Sequence, residues 1–103
     1  MIVFISSPYS GDVEKNVEAA RKYCRYAVDK GQVPIAPHLL FPQFMDEETE
    51  RGLGFKMGLR LLALCDELWA FVGNQSEWFI SPGMAAEMEY AENNLIPVSY
   101  IEL

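Results

Sequence analysis

Apolar residues along this chain form short continuous runs that alternate with longer segments of helical spacing. Four such runs, at 2–5, 33–36, 68–72 and 96–101, are rich in β-branched and aromatic residues. A strand that is covered on both faces of a sheet shows a run of this kind, whereas a half-exposed strand alternates apolar and polar residues. The pattern therefore predicts four strands in one sheet, and Pro34 places the second of them at a sheet edge or near the start of the strand.

The segments between the first three predicted strands carry the signals of two helices. The first helix begins after Asp12, a candidate N-cap, and its apolar residues recur at helical spacing until Gly31, a candidate C-cap. The second helical pattern opens with an acidic stretch and covers residues 46–64. Because three glycines weaken this pattern, we expect a break or an irregular start before Phe55.

A third helix and the order of the elements define the expected fold class. Ser81 as N-cap with Pro82 at the first helical position predicts a helix that ends near Asn93. Strands and helices thus alternate along the chain, and strands that are joined through helices run parallel with right-handed crossovers. We expect an α/β fold in which a mostly parallel sheet of four to five strands lies between two layers of helices.

Three loops follow predicted strands, at 6–11, 37–44 and 73–83. The carboxyl ends of parallel strands meet at one edge of a sheet, and open α/β sheets bind ligands in the crevice beyond that edge. We therefore expect any binding site at these loops. The segment Pro37-His38-Leu39-Leu40-Phe41-Pro42 is unusually apolar for a loop, so we expect it to pack under another element, to line a pocket or to form a subunit contact.

The formal charge of -7, with only eight Lys and Arg residues, narrows the classes of partner. Clustered basic side chains supply most of the affinity for nucleic acid, and anionic membranes attract the same side chains. We therefore expect neither a nucleic-acid polymer nor a membrane as a partner, although one local Arg or Lys is enough to hold a small anionic ligand. A length of 103 residues is typical of one domain, so residues 1–103 are expected to form a single domain.

Two cysteines and the first ten residues bear on the compartment. Cys24 and Cys65 both lie among apolar neighbours, and the amino-terminal residues lack the basic start of a signal peptide. We therefore expect two free thiols in a reducing cytoplasm rather than a disulfide. The sequence shows no His/Cys cluster with the spacing of metal ligands, so we expect no metal.

Glu87 lies on the side of the third predicted helix that also carries Met84 and Met88. A carboxylate on that mostly apolar side, near the carboxyl edge of the sheet, would have a pKa raised by desolvation and could serve as a nucleophile or base. The alternative is a paired or solvated Glu at the rim of this side. Helical spacing alone favours the alternative.

Other polar residues allow two interpretations each. The loop at 6–11 has the small residues of a turn that holds a phosphate or a ribose, but a plain β–α turn has them too. His38 follows a strand and has no Ser or Cys partner nearby in sequence, so ligand contact and a core role are equally compatible with it. Arg51 and Arg60 could each meet an anionic group, but a solvated helix face is the favoured interpretation of both. Asp66 is expected to be a cap or an ion-pair residue.

Four segments of the chain form a combined pattern that resembles a known family. They are Ile5-Ser6-Ser7-Pro8-Tyr9-Ser10-Gly11, Pro34-Ile35-Ala36-Pro37-His38-Leu39, Cys65-Asp66-Glu67-Leu68-Trp69, and Ser81-Pro82-Gly83-Met84 with Glu87 and Ala91. Together they resemble the nucleoside 2-deoxyribosyltransferase superfamily, and more narrowly the small DUF4406-type proteins. The resemblance covers nearly the whole chain and implies a flavodoxin-like, or Rossmann-like, fold.

The resemblance also implies a reaction, namely cleavage of the N-glycosidic bond of a nucleoside or nucleotide by sugar transfer or hydrolysis, without a cofactor. Glu87 matches the family's nucleophile and would form a glycosyl-enzyme ester with the anomeric carbon. Tyr9 and its loop would face the sugar or base, and Ser81 and Gly83 would hold sugar hydroxyls or phosphate. The expected substrate-binding residues are Ser7, Pro8, Tyr9, Ser10, Gly11, His38, Ser81, Gly83 and Met84.

Two departures from the family pattern leave the reaction open. The family often has an acidic residue where residues 55–61 of this chain have none, and Ser81 stands where deoxyribosyltransferases also place an Asp. Proton transfer to the leaving base typically contributes a factor of about 10²–10⁴ to the rate. Either another residue, such as His38 or Asp46, supplies this proton, or the protein binds nucleotides without catalysis.

Apolar loops indicate contacts with other chains. Leu39-Leu40-Phe41 and Trp78-Phe79 lie in two of the three loops at the expected site edge. A third interpretation is therefore an interaction module that uses these loops as its contact surface. The same loops predict a homo-oligomer, a dimer or larger, and the family also tends to complete its pocket from a neighbouring subunit.

Overall fold

The computed structural model describes residues 1–73 and 79–103. These residues form a sheet of four parallel strands in the order β2-β1-β3-β4. The strands are β1 (Ile2–Ser6), β2 (Val33–Ile35), β3 (Glu67–Gly73) and β4 (Val98–Glu102). The predicted parallel sheet is confirmed, and so is the edge position of the strand that contains Pro34.

Helices cover both faces of this sheet. The helical elements are α1 (Val13–Asp29), α2 (Pro37–Leu40), a 3₁₀ helix (Phe41–Gln43), α3 (Arg51–Leu62) and α4 (Pro82–Asn93). Val3 of β1 packs in a buried cluster with Ala27 of α1, whereas the next residue, Phe4, packs in a second cluster with Leu62 of α3 and Met84 of α4. Since successive side chains of a strand point to opposite faces, the sheet lies between two helical layers, as the α/β prediction requires.

The connections that leave the two central strands, β1 and β3, lead to opposite edges of the sheet. The chain passes from β1 through α1 to β2 on one side, and from β3 through α4 to β4 on the other. Such a reversal is a topological switch point, where a crevice opens beyond the carboxyl ends of the two strands. The loop after β1 and the beginning of α4 therefore lie beside this crevice.

Local signals set the ends of α1 and α4. The Asp12 carboxylate accepts the backbone N–H of Lys15 at 3.2 Å, and the Ser81 hydroxyl accepts that of Met84 at 3.2 Å. Both predicted N-caps are confirmed, because each satisfies an N–H group that has no partner within its helix. Gly31 has φ +79°, the left-handed conformation that commonly follows a helix end.

The predicted loop after β2 is instead helical, as α2 followed by the 3₁₀ helix. Pro37 is the first residue of α2, where a missing N–H group has no consequence. It lies close to α3, since a Cβ atom added at Gly58 would be 3.5 Å from the Pro37 Cβ atom. The apolar segment thus packs against α3, which is one of the alternatives expected for it.

The second long helix begins later than predicted. α3 begins at Arg51 and continues without a break through the glycines that precede Phe55. Residues 46–50 form turns, in which the Asp46 carboxylate accepts the backbone N–H of Glu48 at 2.8 Å. An Asp side chain that binds the backbone two residues later favours a turn over a helix, which explains the later start.

Asp66 has a structural role that joins two strands, in place of the expected cap or ion pair, and the cysteines are free thiols as expected. The Asp66 carboxylate accepts the backbone N–H of Ile2 at 2.7 Å, and the Asp66 N–H donates to the Ile2 carbonyl at 2.8 Å. This pair joins the beginnings of β1 and β3, at the sheet edge opposite the crevice. Cys24 and Cys65 are both free thiols.

Among residues 1–73 and 79–103, no helix combines the length and the apolar character needed to cross a bilayer. In the same residues, no group of three or more His, Cys, Asp or Glu side chains is arranged to hold a metal ion.

Leu95, just before β4, offers a test of local backbone strain. Its φ is 60° and its side chain is 91% exposed, so little packing compensates for a conformation that costs an L-residue about 1–2 kcal/mol. Asn tolerates this conformation better. We expect Leu95→Asn to raise the free energy of unfolding by about 0.5–1 kcal/mol, measured by urea denaturation.

Leu64 is the matched control for this substitution. It is also a highly exposed leucine, at 76%, and it is not among the described residues with positive φ. Leu64→Asn is expected to change stability by less than about 0.5 kcal/mol. Equal effects of the two substitutions would show that backbone strain at Leu95 is not the cause.

Candidate active site

A cavity of about 240 Å³ lies at the carboxyl edge of the sheet, at the switch point between β1 and β3. Its wall comes from the loop after β1, from α2 and α3, and from the first turns of α4. Eight of the ten residues predicted for the site line it: Ser7, Tyr9, Ser10, His38, Ser81, Gly83, Met84 and Glu87. Pro8 and Gly11 do not line this cavity, and Gly11 instead lines a shallower depression beside it.

Glu87 is half-buried in the cavity wall, and its carboxylate is held by a residue from β1. The hydroxyl of Ser6, which is fully buried, donates to Glu87 Oε1 at 2.8 Å. Burial raises the pKa of the Glu87 carboxyl to about 7, and the hydrogen bond from Ser6 acts in the opposite direction. Glu87 therefore has the desolvated arrangement, not the solvated rim position that helical spacing alone favoured.

A carboxyl group with this pKa exists in both protonation states near neutral pH. The ionised form can act as a nucleophile and the protonated form can donate a proton. Ser6 occupies one carboxylate oxygen, while Oε2 has no hydrogen-bond partner in the described part of the chain. The hydrogen bond from Ser6 thus fixes the position of Oε1, and Oε2 is available to react with a substrate.

His38 has a serine partner after all, although a distant one in sequence. Its Nε2 atom lies 2.9 Å from the hydroxyl oxygen of Ser7, and the two residues are 31 positions apart. Burial lowers the pKa of the imidazole to about 4, so the ring is neutral at pH 7. The ring of Tyr9 meets the ring of His38 edge-on, with centroids 6.4 Å apart.

Asn16, in the first part of α1, holds the loop after β1. Its side-chain amide donates to the carbonyl oxygens of Tyr9 and Ser10, both at 3.0 Å. Gly11 completes the turn with φ +96°, a conformation that favours glycine. No role was predicted for Asn16, although an Asn in the first turn after a Ser- and Gly-rich loop is a recognisable signal for loop capping.

Arg51 is exposed, as expected for a solvated helix face, and it also contributes to the candidate site. The side chain lines the cavity, and its Nη2 atom donates to the Ser10 hydroxyl at 2.8 Å. Arg51 lies at the start of α3, and the crossover from β2 brings that end of the helix to the carboxyl edge. Arg60, nine residues further along α3, is exposed and does not line the cavity.

The proposed sources of a proton differ in their positions. Residues 55–61 belong to α3, and only Phe55 and Gly58 of that segment line the cavity. Asp46 lies outside the cavity lining, whereas its neighbour Glu47, for which no separate role was predicted, is part of it. Burial and Glu47 raise the pKa of the Tyr9 phenol, and Arg51 lowers it, so both charged groups act at this ring.

The loop between β3 and α4 is only partly described. Trp78, which was predicted to form part of a contact surface, lies outside the described residues. Phe79 is 57% exposed and Leu40 is 46% exposed, whereas Phe41 lines the cavity. The apolar segment after β2 therefore contributes both to the cavity wall and to the surface beside it.

The three-layer α/β fold of this chain is similar to the fold of two solved 2-deoxyribosyltransferases. This chain aligns over 99% of its length with a 2-deoxyribosyltransferase from Bacillus psychrosaccharolyticus, covering 72% of that chain with 22% identity and a TM-score of 0.66. It aligns over 98% of its length with a 2-deoxyribosyltransferase from Leishmania mexicana, covering 63% of that chain with 16% identity and a TM-score of 0.65. At these identities the similarity shows a shared flavodoxin-like fold.

The chain belongs to the DUF7768 family, a domain of unknown function, whose family model matches residues 1–101. The narrower expectation of a DUF4406-type protein is not confirmed, because the matching family is a different one. No curated protein matches the sequence.

Proposed function

We propose that this protein cleaves the N-glycosidic bond of a nucleoside or nucleotide, by hydrolysis or by transfer of the sugar, with Glu87 as the nucleophile. The observation that carries this proposal is the half-buried carboxyl of Glu87 in the switch-point cavity, held by Ser6 at one oxygen. The fold shared with 2-deoxyribosyltransferases supports it.

The reaction has two steps at the anomeric carbon. In the first, Oε2 of Glu87 bonds to this carbon while the carbon–nitrogen bond breaks, and the electron pair leaves with the base, which takes up one proton. In the second, the oxygen of water or the nitrogen of an acceptor base attacks the same carbon. The ester bond then breaks, its electron pair returns to Glu87, and the proton of the attacking group passes to solvent.

The remaining cavity residues would bind and orient the substrate. Tyr9 and its loop would face the sugar or base, next to the Ser7 and His38 pair. Ser81 and Gly83, at the beginning of α4, would hold sugar hydroxyls or phosphate. Met84 is buried at the same end of α4 and provides an apolar surface beside Glu87.

One observation favours a second candidate function, nucleotide binding without catalysis. His38 is neutral at pH 7 and Asp46 lies outside the cavity, so neither residue named as a proton donor is well suited to that role. Among the described residues, Glu47 is the one carboxyl besides Glu87 that lines the cavity. If Glu47 does not protonate the base, departure of the base would be slower by a factor of about 10²–10⁴.

Chromatography of incubation mixtures distinguishes the two functions. The protein is incubated with deoxynucleosides, ribonucleosides and their 5′-monophosphates, each with and without a second base as acceptor. We expect release of free base from at least one class, and a new nucleoside where transfer occurs. Binding without release across the whole set would instead establish the nucleotide-binding function, and neither binding nor release would favour an interaction module.

We also propose that residues 1–103 act as a single domain of a cytoplasmic homo-oligomer. Leu40, Phe44 and Phe79 are exposed in the segments that follow β2 and β3, and an apolar surface at one edge of a small domain commonly mediates association. Free thiols agree with a reducing compartment. Light scattering at micromolar concentration tests the oligomer, and the mass of one chain would contradict it.

A further inference from the structure

We infer that the substrate carries a phosphate group that Arg51 and Ser10 bind at the cavity, an inference that rests on the proposed function. The role of Glu87 as nucleophile does not by itself require a phosphate on the substrate, because the same reaction can take place on a neutral nucleoside. The inference therefore selects nucleotides over nucleosides as the substrate class.

The contact between Arg51 and Ser10 leaves donors available. The Ser10 hydroxyl oxygen accepts from Arg51 Nη2 at 2.8 Å, so the hydroxyl proton is directed away from the arginine. A guanidinium has five N–H groups, and the other four have no hydrogen-bond partner within residues 1–73 and 79–103. No carboxylate lies within 4.0 Å of Arg51 in that part of the chain.

Arg51 differs in charge from the other residues that line the cavity. Among the described lining residues it is the one permanent cation, since His38 is neutral at pH 7. In a chain of net charge -7, a guanidinium that has no carboxylate partner among the described residues is a specific place for an anion. Glu47 lines the same region and opposes an anion there, so its removal should strengthen binding.

A phosphate suits this donor set better than a carboxylate does. Arg presents a planar fork of N–H groups that binds two oxygens of a phosphate, while a third oxygen can accept the Ser10 hydroxyl proton. Asn16 fixes the carbonyls of Tyr9 and Ser10, which holds the Ser10 side of the site in place before a ligand arrives. Preorganised donors of this kind reduce the entropy lost on binding.

Calorimetric titration compares one deoxynucleoside, its 5′-monophosphate and 5′-diphosphate, and inorganic phosphate. All variants are made in the Glu87→Gln background so that no ligand is consumed. We expect the monophosphate to bind about ten- to hundredfold more tightly than the nucleoside, the gain typical of charge-assisted hydrogen bonds. Arg51→Gln should remove this preference for the monophosphate over the nucleoside, Ser10→Ala should reduce it to a lesser degree, and Glu47→Gln should increase it.

Arg60→Gln is the matched control, because it removes the same charge from the same helix outside the cavity. It should leave the preference for the monophosphate unchanged. Equal binding of nucleoside and monophosphate, an unaltered preference in Arg51→Gln, or an equal loss in Arg60→Gln would each overturn the inference. Binding of inorganic phosphate as tight as that of the monophosphate would show a phosphate site that is independent of the substrate.

The glycosidase assay separates this inference from the proposed function. Base release from nucleosides and monophosphates at equal rates would overturn the inference alone. Tight, Arg51-dependent binding of the monophosphate without any base release would overturn the proposed catalysis and leave the phosphate site standing. Failure of all ligands to bind would overturn both.

Discussion

Glu87→Gln is expected to lower the rate of base release by a factor on the order of 10³ or more, since removal of a catalytic nucleophile has effects of this size. The amide cannot form the glycosyl ester, yet it has nearly the same shape as the carboxyl. Its oxygen can still accept the Ser6 hydroxyl that Glu87 Oε1 accepts at 2.8 Å. Substrate affinity should therefore change little, and the loss should fall on kcat.

Glu89→Gln is the control for this substitution. Glu89 is an exposed residue of the same helix, two positions further along, and does not line the cavity. Its replacement should leave the rate within about twofold of the parent, because a solvated carboxylate outside the site has no contact with the reacting atoms. A Glu87→Gln protein that keeps a tenth or more of the parent rate would contradict the role of nucleophile.

Glu87→Gln should also stabilise the folded protein, by an amount that depends on pH. The folded state raises the pKa of Glu87 from 4.5 to about 7, so it binds a proton more tightly than the unfolded chain does. The stability that Glu87 contributes is complete below pH 4.5 and is lost as the pH rises toward 7. One pKa unit corresponds to about 1.4 kcal/mol. The free energy of unfolding of Glu87→Gln, relative to that of the parent, should therefore increase by about 3 kcal/mol between pH 4 and pH 8.

His38 contributes with the opposite sign over nearly the same range. Its pKa falls from 6.5 in the unfolded chain to about 4 in the folded state, so stability is lost as the pH falls from 6.5 toward 4. In the parent, these two contributions oppose each other between about pH 4.5 and 6.5. Glu87→Gln keeps only the contribution of His38, so the stability of this variant should increase as the pH increases from about 4.5 to 6.5.

Guanidinium denaturation at intervals from pH 4 to pH 8 measures these differences. The informative quantity is the difference between variant and parent at each pH, because contributions of other groups cancel in it. The exposed Glu89→Gln variant should show a difference that is small and independent of pH. A constant difference for Glu87→Gln as well would show that the Glu87 carboxyl titrates at its ordinary pKa in the folded protein.

Local residue patterns were sufficient to predict most of the fold. Continuous apolar runs predicted the parallel strands, because a strand covered by helices on both faces has no polar side. Asp12, Gly31, Ser81 and Pro82 predicted where α1 and α4 begin or end, because capping depends on a few adjacent residues. The prediction was wrong at residues 37–43 and 46–50, where packing against α3 and a turn set by Asp46 decided the conformation.

By itself, the sequence determined the order of strands and helices, the edge of the sheet at which a site is expected, and most of the residues near it. Only the tertiary structure decided which of those residues meet: Ser6 with Glu87, 81 positions apart, Ser7 with His38, 31 apart, and Ser10 with Arg51, 41 apart. The physical reason is the strand order. The crossovers from β1 to β2 and from β2 back to β3 bring distant segments to one crevice, and neither helical spacing nor capping signals encode those contacts.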